Sequence, residues 1–174
     1  SNQTVILPDM AAGCSMADMA AIEQVEQCWD ALGRVVPVEE TVMPAVYVNS
    51  AAVLKAFCGE HGGITCTSSN AKAVIEWSWA RREKILFFPD EHLGRNTANK
   101  MGLPREEMIV WDPYQPNGGN TREVIKRAKL ILWKGHCSVH QMFQPVHVDN
   151  FRKQYPDGKV IVHPECHEDV VNKA

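Results

Sequence analysis

The sequence contains no C-x-x-C pair, although it holds six cysteines: Cys14, Cys28, Cys58, Cys66, Cys137 and Cys166. That excludes zinc-ribbon and bacterial-ferredoxin spacing, so any metal held by these thiols has to be assembled from distant parts of the chain. No apolar run approaches the roughly 20 residues that span a bilayer, so no membrane contact is expected. Net charge is also small: −3 over 174 residues gives no reason to expect nucleic acid or an anionic membrane as partner. No signal-peptide pattern is present, and the expected setting is a reducing cytoplasm, where the thiols stay free rather than paired.

What the sequence does have is a series of short apolar runs alternating with helical spacing. Val5 to Leu7 reads as the tail of a strand stopped by Pro8, and Ser15 as the cap of a helix ending near Leu32-Gly33. Cys28 inside that helix reads as a small core hydrophobe. Arg34 to Pro44 reads as a loop with room for a short edge segment. Ala45 to Asn49 is then a buried strand, with Ser50 capping a helix to about Phe57. After a Gly62-Gly63 turn, Ile64 to Cys66 is a strand. The polar run Thr67-Ser68-Ser69-Asn70 caps a helix over Ala71 to Trp79.

Lys84 to Phe88, Met108 to Trp111 and Leu130 to Trp133 are further strands. Helices are expected from Leu93 to about Met101, from Thr121 to Ala128 and from His147 to Gln154. Val160 to Val162 reads as a last strand, with a final helix from His167. His61 and His147 read as surface residues. Strands alternating with helices mean βαβ units, hence an α/β fold whose parallel sheet is covered on both faces.

In such sheets ligands sit outside the carboxyl ends of the strands. Here those ends carry Tyr47 and Asn49, Ser68 and Asn70, Asp90 and His92, His136 to His140, and His163 with Glu165. A fold built only for packing would end its strands in ordinary turn residues. Two cysteines, Cys14 after Gly13 and Cys137 after Gly135-His136, lie in similar glycine-flanked settings, and we read them as belonging to one metal centre. Helix N-termini at Ser68-Asn70 and Ser138 offer N–H groups that suit a carboxylate or phosphate. On residues alone, the pattern points to metal-assisted chemistry on a small anion. A self-contained α/β domain binding zinc or a small anion, or a scaffold without ligand, stays open.

Six stretches together resemble an ordered set of family motifs: Pro8 to Ala17, Tyr47 to Ser50, Cys66 to Ala71, Phe88 to Asn96, Trp133 to His140, and Val162 to Cys166. The set is similar to that of the quinolinate synthases, across essentially the whole chain and in the family's order. The resemblance implies synthesis of quinolinate, the pyridine precursor of NAD, from iminoaspartate and dihydroxyacetone phosphate. It also implies, as a partner, the aspartate-oxidising enzyme that supplies iminoaspartate. It implies a [4Fe–4S] cluster held by three cysteines with one iron open, in three similar α/β/α domains around a pseudo-threefold axis.

By the same resemblance Cys14 and Cys137 are two of the cluster ligands, and the third is expected outside this segment. Tyr47, Asn49 and Ser68 line the substrate pocket from one domain, and His140, His163 and Glu165 from the next. Glu165 beside His163 is the expected proton shuttle, with Tyr47 a second one. Residues 1–14 are expected to end a preceding domain, 15–137 to form the middle α/β/α domain, and 138–174 to begin the next. On this reading the chain is a central fragment, inactive alone. Asp90, His92 and Asn96 receive no role.

Overall fold

The computed structural model describes residues 4, 6, 9 and 13–174. The strand expected over Val5 to Leu7 and most of the Pro8 to Ala12 stretch lie outside the described residues.

Five apolar runs form five parallel strands: β1 Val42–Tyr47, β2 Ile64–Cys66, β3 Lys84–Phe88, β4 Met108–Trp111 and β5 Leu130–Trp133, in the order β2-β1-β3-β5-β4. Every residue of β1, β3 and β5 is buried, as a strand covered on both faces requires. Side chains alternate between two cores because successive residues of a strand point to opposite faces. Val42, Val46, Leu86, Phe88, Ile131 and Trp133 pack with helices α1 (Ile22–Gly33), α3 (Ala52–Glu60) and α6 (Arg122–Arg127). On the other face, Met43, Tyr47, Ile85, Phe87, Leu130 and Leu132 pack with α4 (Ala71–Trp79) and α5 (Glu91–Lys100). The result is a three-layer α/β/α sandwich.

Several expected boundaries move, each for a local reason. Ser15 does not cap α1. Its hydroxyl instead sits 2.9 Å from that of Ser138, a 3-10 turn occupies Ala17–Met19, and Gln24 Oε1 takes the Ala21 N–H at the start of α1. A short helix, α2 (Val38–Thr41), fills part of the expected loop, and β1 begins three residues earlier than the composition suggests. Pro44 lies inside β1 because pairing with β2 begins only at Ala45, so its missing N–H falls outside that ladder. Its carbonyl faces Gly63, where any Cβ would overlap the oxygen. Ser50 caps nothing: α3 starts at Ala52, and the Ser50 carbonyl takes Lys55 Nζ at 2.7 Å. His61 is no free surface residue. Its ring packs on Phe57 and Trp29, and its Nδ1 lies 2.8 Å from Glu39.

Beyond β5 the chain runs through α7 (Ser138–Gln141), α8 (Pro145–Gln154) and α9 (Glu168–Val171). The run Val160 to Val162 forms no strand; among the described residues no neighbouring strand is there to pair with it, and Ile161 is 94% exposed. This segment is held to the sandwich through α5 and the turn that follows it. Asn96 Nδ2 donates to the carbonyls of Pro164 and Cys166, both at 2.8 Å, and Arg105 reaches both oxygens of Glu168.

Candidate active site

The carboxyl ends of the strands meet the turn at 163–166. Glu91 N–H donates to the Gly135 carbonyl at 2.8 Å, joining the loops after β3 and β5. Only glycine fits at 135, since a Cβ would collide with the Pro89 carbonyl. Trp133 Nε1 donates to the Met19 carbonyl, bringing the turn after Cys14 to the same end of the sheet. The Ser15–Ser138 hydrogen bond ties together the residues that follow Cys14 and Cys137. The two cysteine-bearing segments, 123 residues apart at that bond, therefore share one mouth.

Tyr47 ends β1 at this mouth, with Asn49 Nδ2 3.5 Å from its hydroxyl. Burial pushes the Tyr47 phenol well above its ordinary range, the nearby Glu165 carboxylate adds to the effect, and a hydrogen bond with Ser68 opposes it. Tyr47, Ser68 and Glu165 are thus neighbours. Ser68 does not cap α4, nor does any other side chain. Asn70, at the cap position, turns its Oδ1 back to the Thr67 N–H at 2.7 Å. The uncapped N-terminus of α4 borders a cavity of about 180 Å³ lined by Ser68, Ser69, Lys72, Thr97 and Lys100.

Glu165 is 3% exposed. Its Oε2 lies 2.8 Å from His140 Nδ1 and 3.4 Å from His163 Nδ1. The His140 approach is close but out of line for a hydrogen bond, so this nitrogen has no hydrogen-bond partner among the described residues; nor has Glu165 Oε1. The two imidazoles stack with centroids 4.6 Å apart. His163 Nδ1 accepts the Glu165 N–H, so a neutral His163 carries its proton on Nε2. Ligand atoms of Cys137, His140 and Glu165 lie within 4.8 Å of one another.

The six thiols divide into two kinds. Burial raises Cys28 well above its usual range, Cys58 and Cys66 to about 12, and Cys166 to a lesser degree. Such thiols stay protonated and behave as small hydrophobes. Cys14 is exposed and Cys137 half-buried, whereas Cys66 at the end of β2 and Cys166 in the 163–166 turn reach the same end of the sheet but are buried. The donor set therefore suits a metal centre that takes two thiolates from this chain and leaves the other four in the core.

Residues without an assigned role fall into place here. Asn96 pins the Pro164–Cys166 turn. Asp90, 0% exposed, caps α5 through Oδ1, which takes the Leu93 N–H at 2.5 Å. Burial pushes its acid up to about 8. Burial also lowers His92, whose Nδ1 has no partner among the described residues. Composition does not reveal these burials; the only hint is that polar groups follow the apolar end of a central strand. A larger hollow of about 500 Å³ lies at the opposite end of the sheet among Trp79, Lys84 and Arg127. There Lys84 Nζ donates to the last carbonyls around α6, a structural use of the charge.

The fold and this mouth define an open parallel α/β domain with a ligand crevice at its strand carboxyl ends, equipped with two accessible thiols and a histidine–carboxylate cluster. Sequence comparison gives the family. The profile of the quinolinate synthetase A protein family (NadA) matches residues 1–174, and the chain belongs to that family. A quinolinate synthase from Rhodopirellula baltica is 62% identical over 167 residues, covering 95% of this chain and 42% of that protein. One from Acidobacterium capsulatum is 59% identical over 174 residues, covering 100% of this chain and 47% of that protein. The chain thus spans less than half the length of these relatives.

Proposed function

We propose that this chain is the central part of a quinolinate synthase of NAD biosynthesis, and that the intact cytoplasmic protein condenses iminoaspartate with dihydroxyacetone phosphate. An aspartate-oxidising enzyme would supply the iminoaspartate. The observation that carries the reading is the convergence of Tyr47, Ser68, Cys137, His140, His163 and Glu165 on one mouth, from segments that are far apart in sequence. Residues 15–137 would be the middle of three α/β/α domains about a pseudo-threefold axis. Residues 138–174 would begin the next, and 1–14 would end the one before.

Cys14 and Cys137 would hold a [4Fe–4S] cluster with a third cysteine from outside this segment. When bound, such a cluster with one iron free of protein ligand supplies Lewis acidity for the two losses of water that lead to the ring. The chain's own residues bind and move protons. Ser68 and the uncapped N-terminus of α4, with Lys72 and Lys100 nearby, are suited to a phosphate or carboxylate. Asn49 orients the Tyr47 hydroxyl. His163 offers a donor at Nε2 and, with His140, sits against Glu165, which takes and returns protons. Burial of Tyr47 and Glu165 keeps water from the intermediates.

A second reading, an α/β domain holding zinc, draws on the Cys137–His140–Glu165 group, whose residue types are ones zinc takes and whose ligand atoms lie within 4.8 Å of one another. Anaerobic reconstitution with iron and sulfide analysis separates the two. In the intact protein, Cys14→Ala or Cys137→Ala should abolish the cluster's visible absorbance, and Cys28→Ala should leave it unchanged. The reverse pattern overturns the ligand assignment. Four irons per chain on residues 1–174 alone would overturn the expectation of an outside ligand, and tight stoichiometric zinc would favour the second reading.

A further inference from the structure

The mechanism leaves one buried acid at the mouth unused. Asp90 is fully buried at the end of the central strand β3, between the ends of β1 and β5. Its Oδ1 has a task, the α5 cap, but its Oδ2 is buried with no hydrogen-bond partner among the described residues. Glu165, across the mouth, has a buried and equally unpartnered Oε1. Asp90 feels the charge of Glu165, and Tyr47 feels the charges of both. A helix cap alone does not need a buried carboxyl here: serine or asparagine would take the Leu93 N–H as well. Leaving a carboxyl oxygen unpaired in the interior costs stability that a cap does not return.

Resting on the reading above, in which both substrates and the ring product are anions, we propose that Asp90 is a positioning residue of the site. It is an acid that carries its proton on Oδ2, so that the floor of the pocket holds the α5 cap without adding a second negative charge beside Glu165. The mouth must receive a dicarboxylate and a phosphate ester. An ionised Asp90 under it would repel both and would set Glu165 and Tyr47 against another anion. A neutral Asp90 leaves Glu165 as the one carboxylate there and offers an O–H donor in place of a charge.

Two of the groups that face Asp90 do not obscure its titration. Tyr47 from β1 and Cys66 from β2 are both driven by burial to remain neutral through the range in which Asp90 loses its proton. Glu165, with His140 and His163 against it, faces Asp90 from the 163–166 turn, and Glu91 and His92 face it from its own helix. Asp90 is pushed up to about 8 chiefly by burial, so its charge appears on the alkaline side of neutrality.

The test uses the intact cluster-loaded protein and quinolinate itself as probe, with its dissociation constant measured by calorimetry from pH 7 to 9.5. The native protein should lose at least about tenfold in affinity across that range, as expected for a charge brought close to a dianion in a site of reduced dielectric. Asp90→Asn keeps the cap and cannot ionise. It should bind within about threefold of native at pH 7 and show no such loss. Asp90→Ser, also a good cap, should likewise flatten the profile; it serves if the amide variant folds poorly. The infrared band of a protonated carboxyl in the native protein should disappear in either variant. An equal alkaline loss in native and variant proteins overturns the proposal while leaving the function intact. No quinolinate binding by the native protein at any pH would overturn the function and this inference with it.

Discussion

The Asp90 carboxyl also makes a prediction about stability. Its folded value, raised to about 8, stands far above the roughly 3.9 of an unfolded aspartate. Between those values the folded chain holds a proton that the unfolded chain has released, so this group's contribution falls as pH rises through that window and levels off above it. Asparagine in its place removes the dependence and keeps the cap. Denaturant unfolding should therefore find Asp90→Asn more stable than native by roughly 2–4 kcal/mol at pH 8, with little difference at pH 4. Equal pH dependence in the two proteins would mean the carboxyl is ionised in the fold. A residue that weakens the folded state yet sits at the mouth is what an active-site group looks like energetically.

At the scale of elements, β3, β4, β5 and α4 run as their sequences imply. Continuous apolar runs such as Lys84 to Phe88 and Leu130 to Trp133 are bounded by turn residues and buried on both faces, which leaves little freedom in where they start. The misread boundaries turn on tertiary partners that sequence cannot show. Ser15 has cap chemistry, but Ser138 claims its hydroxyl. Pro44 looks like a strand breaker until the late start of β2 is known. The rule about strand ends picks out Tyr47, Ser68, Asp90, His140, His163 and Glu165 as a group, whereas the burial of Asp90 and the carbonyls that Asn96 reaches come only from packing. Asn96 illustrates the difference, because its two acceptors lie 68 and 70 residues away. Replacing it with alanine removes two hydrogen bonds, one to a buried and one to a half-buried carbonyl, about 1–3 kcal/mol. The loss should appear locally: faster proteolysis and amide exchange in 159–174, with β1, β3 and β5 still protected. Uniform loss of protection across the sheet would show that α5 and the turn unfold as one unit.

At the scale of the whole molecule the chain divides into a sandwich with two cores and an appended segment with very little. Residues 138–174 bury only Val148, Cys166 and Val170 as a cluster, and they expose Val139, Met142, Val146 and Ile161. A segment with so small a core is held by what it touches, here Asn96 and Asn99 of α5 and Arg105 in the turn before β4. The run Val160 to Val162 has the composition of a buried parallel strand but no ladder, and a lone strand cannot satisfy its own N–H and C=O groups. On the proposed reading of the chain as the central part of a protein as long as its relatives, a partner strand is expected from the rest of that protein. Hydrogen exchange on both forms decides the matter. In residues 1–174 alone, amides 159–163 should exchange close to the unfolded rate. In the intact protein the same amides should be slowed by about a hundredfold or more, as strand pairing and burial bring local opening towards the global cost. Rapid exchange in both would mean that this run is a loop in the intact protein as well. Glu165, three residues past the run, would then owe its position to Asn96 and the histidines alone.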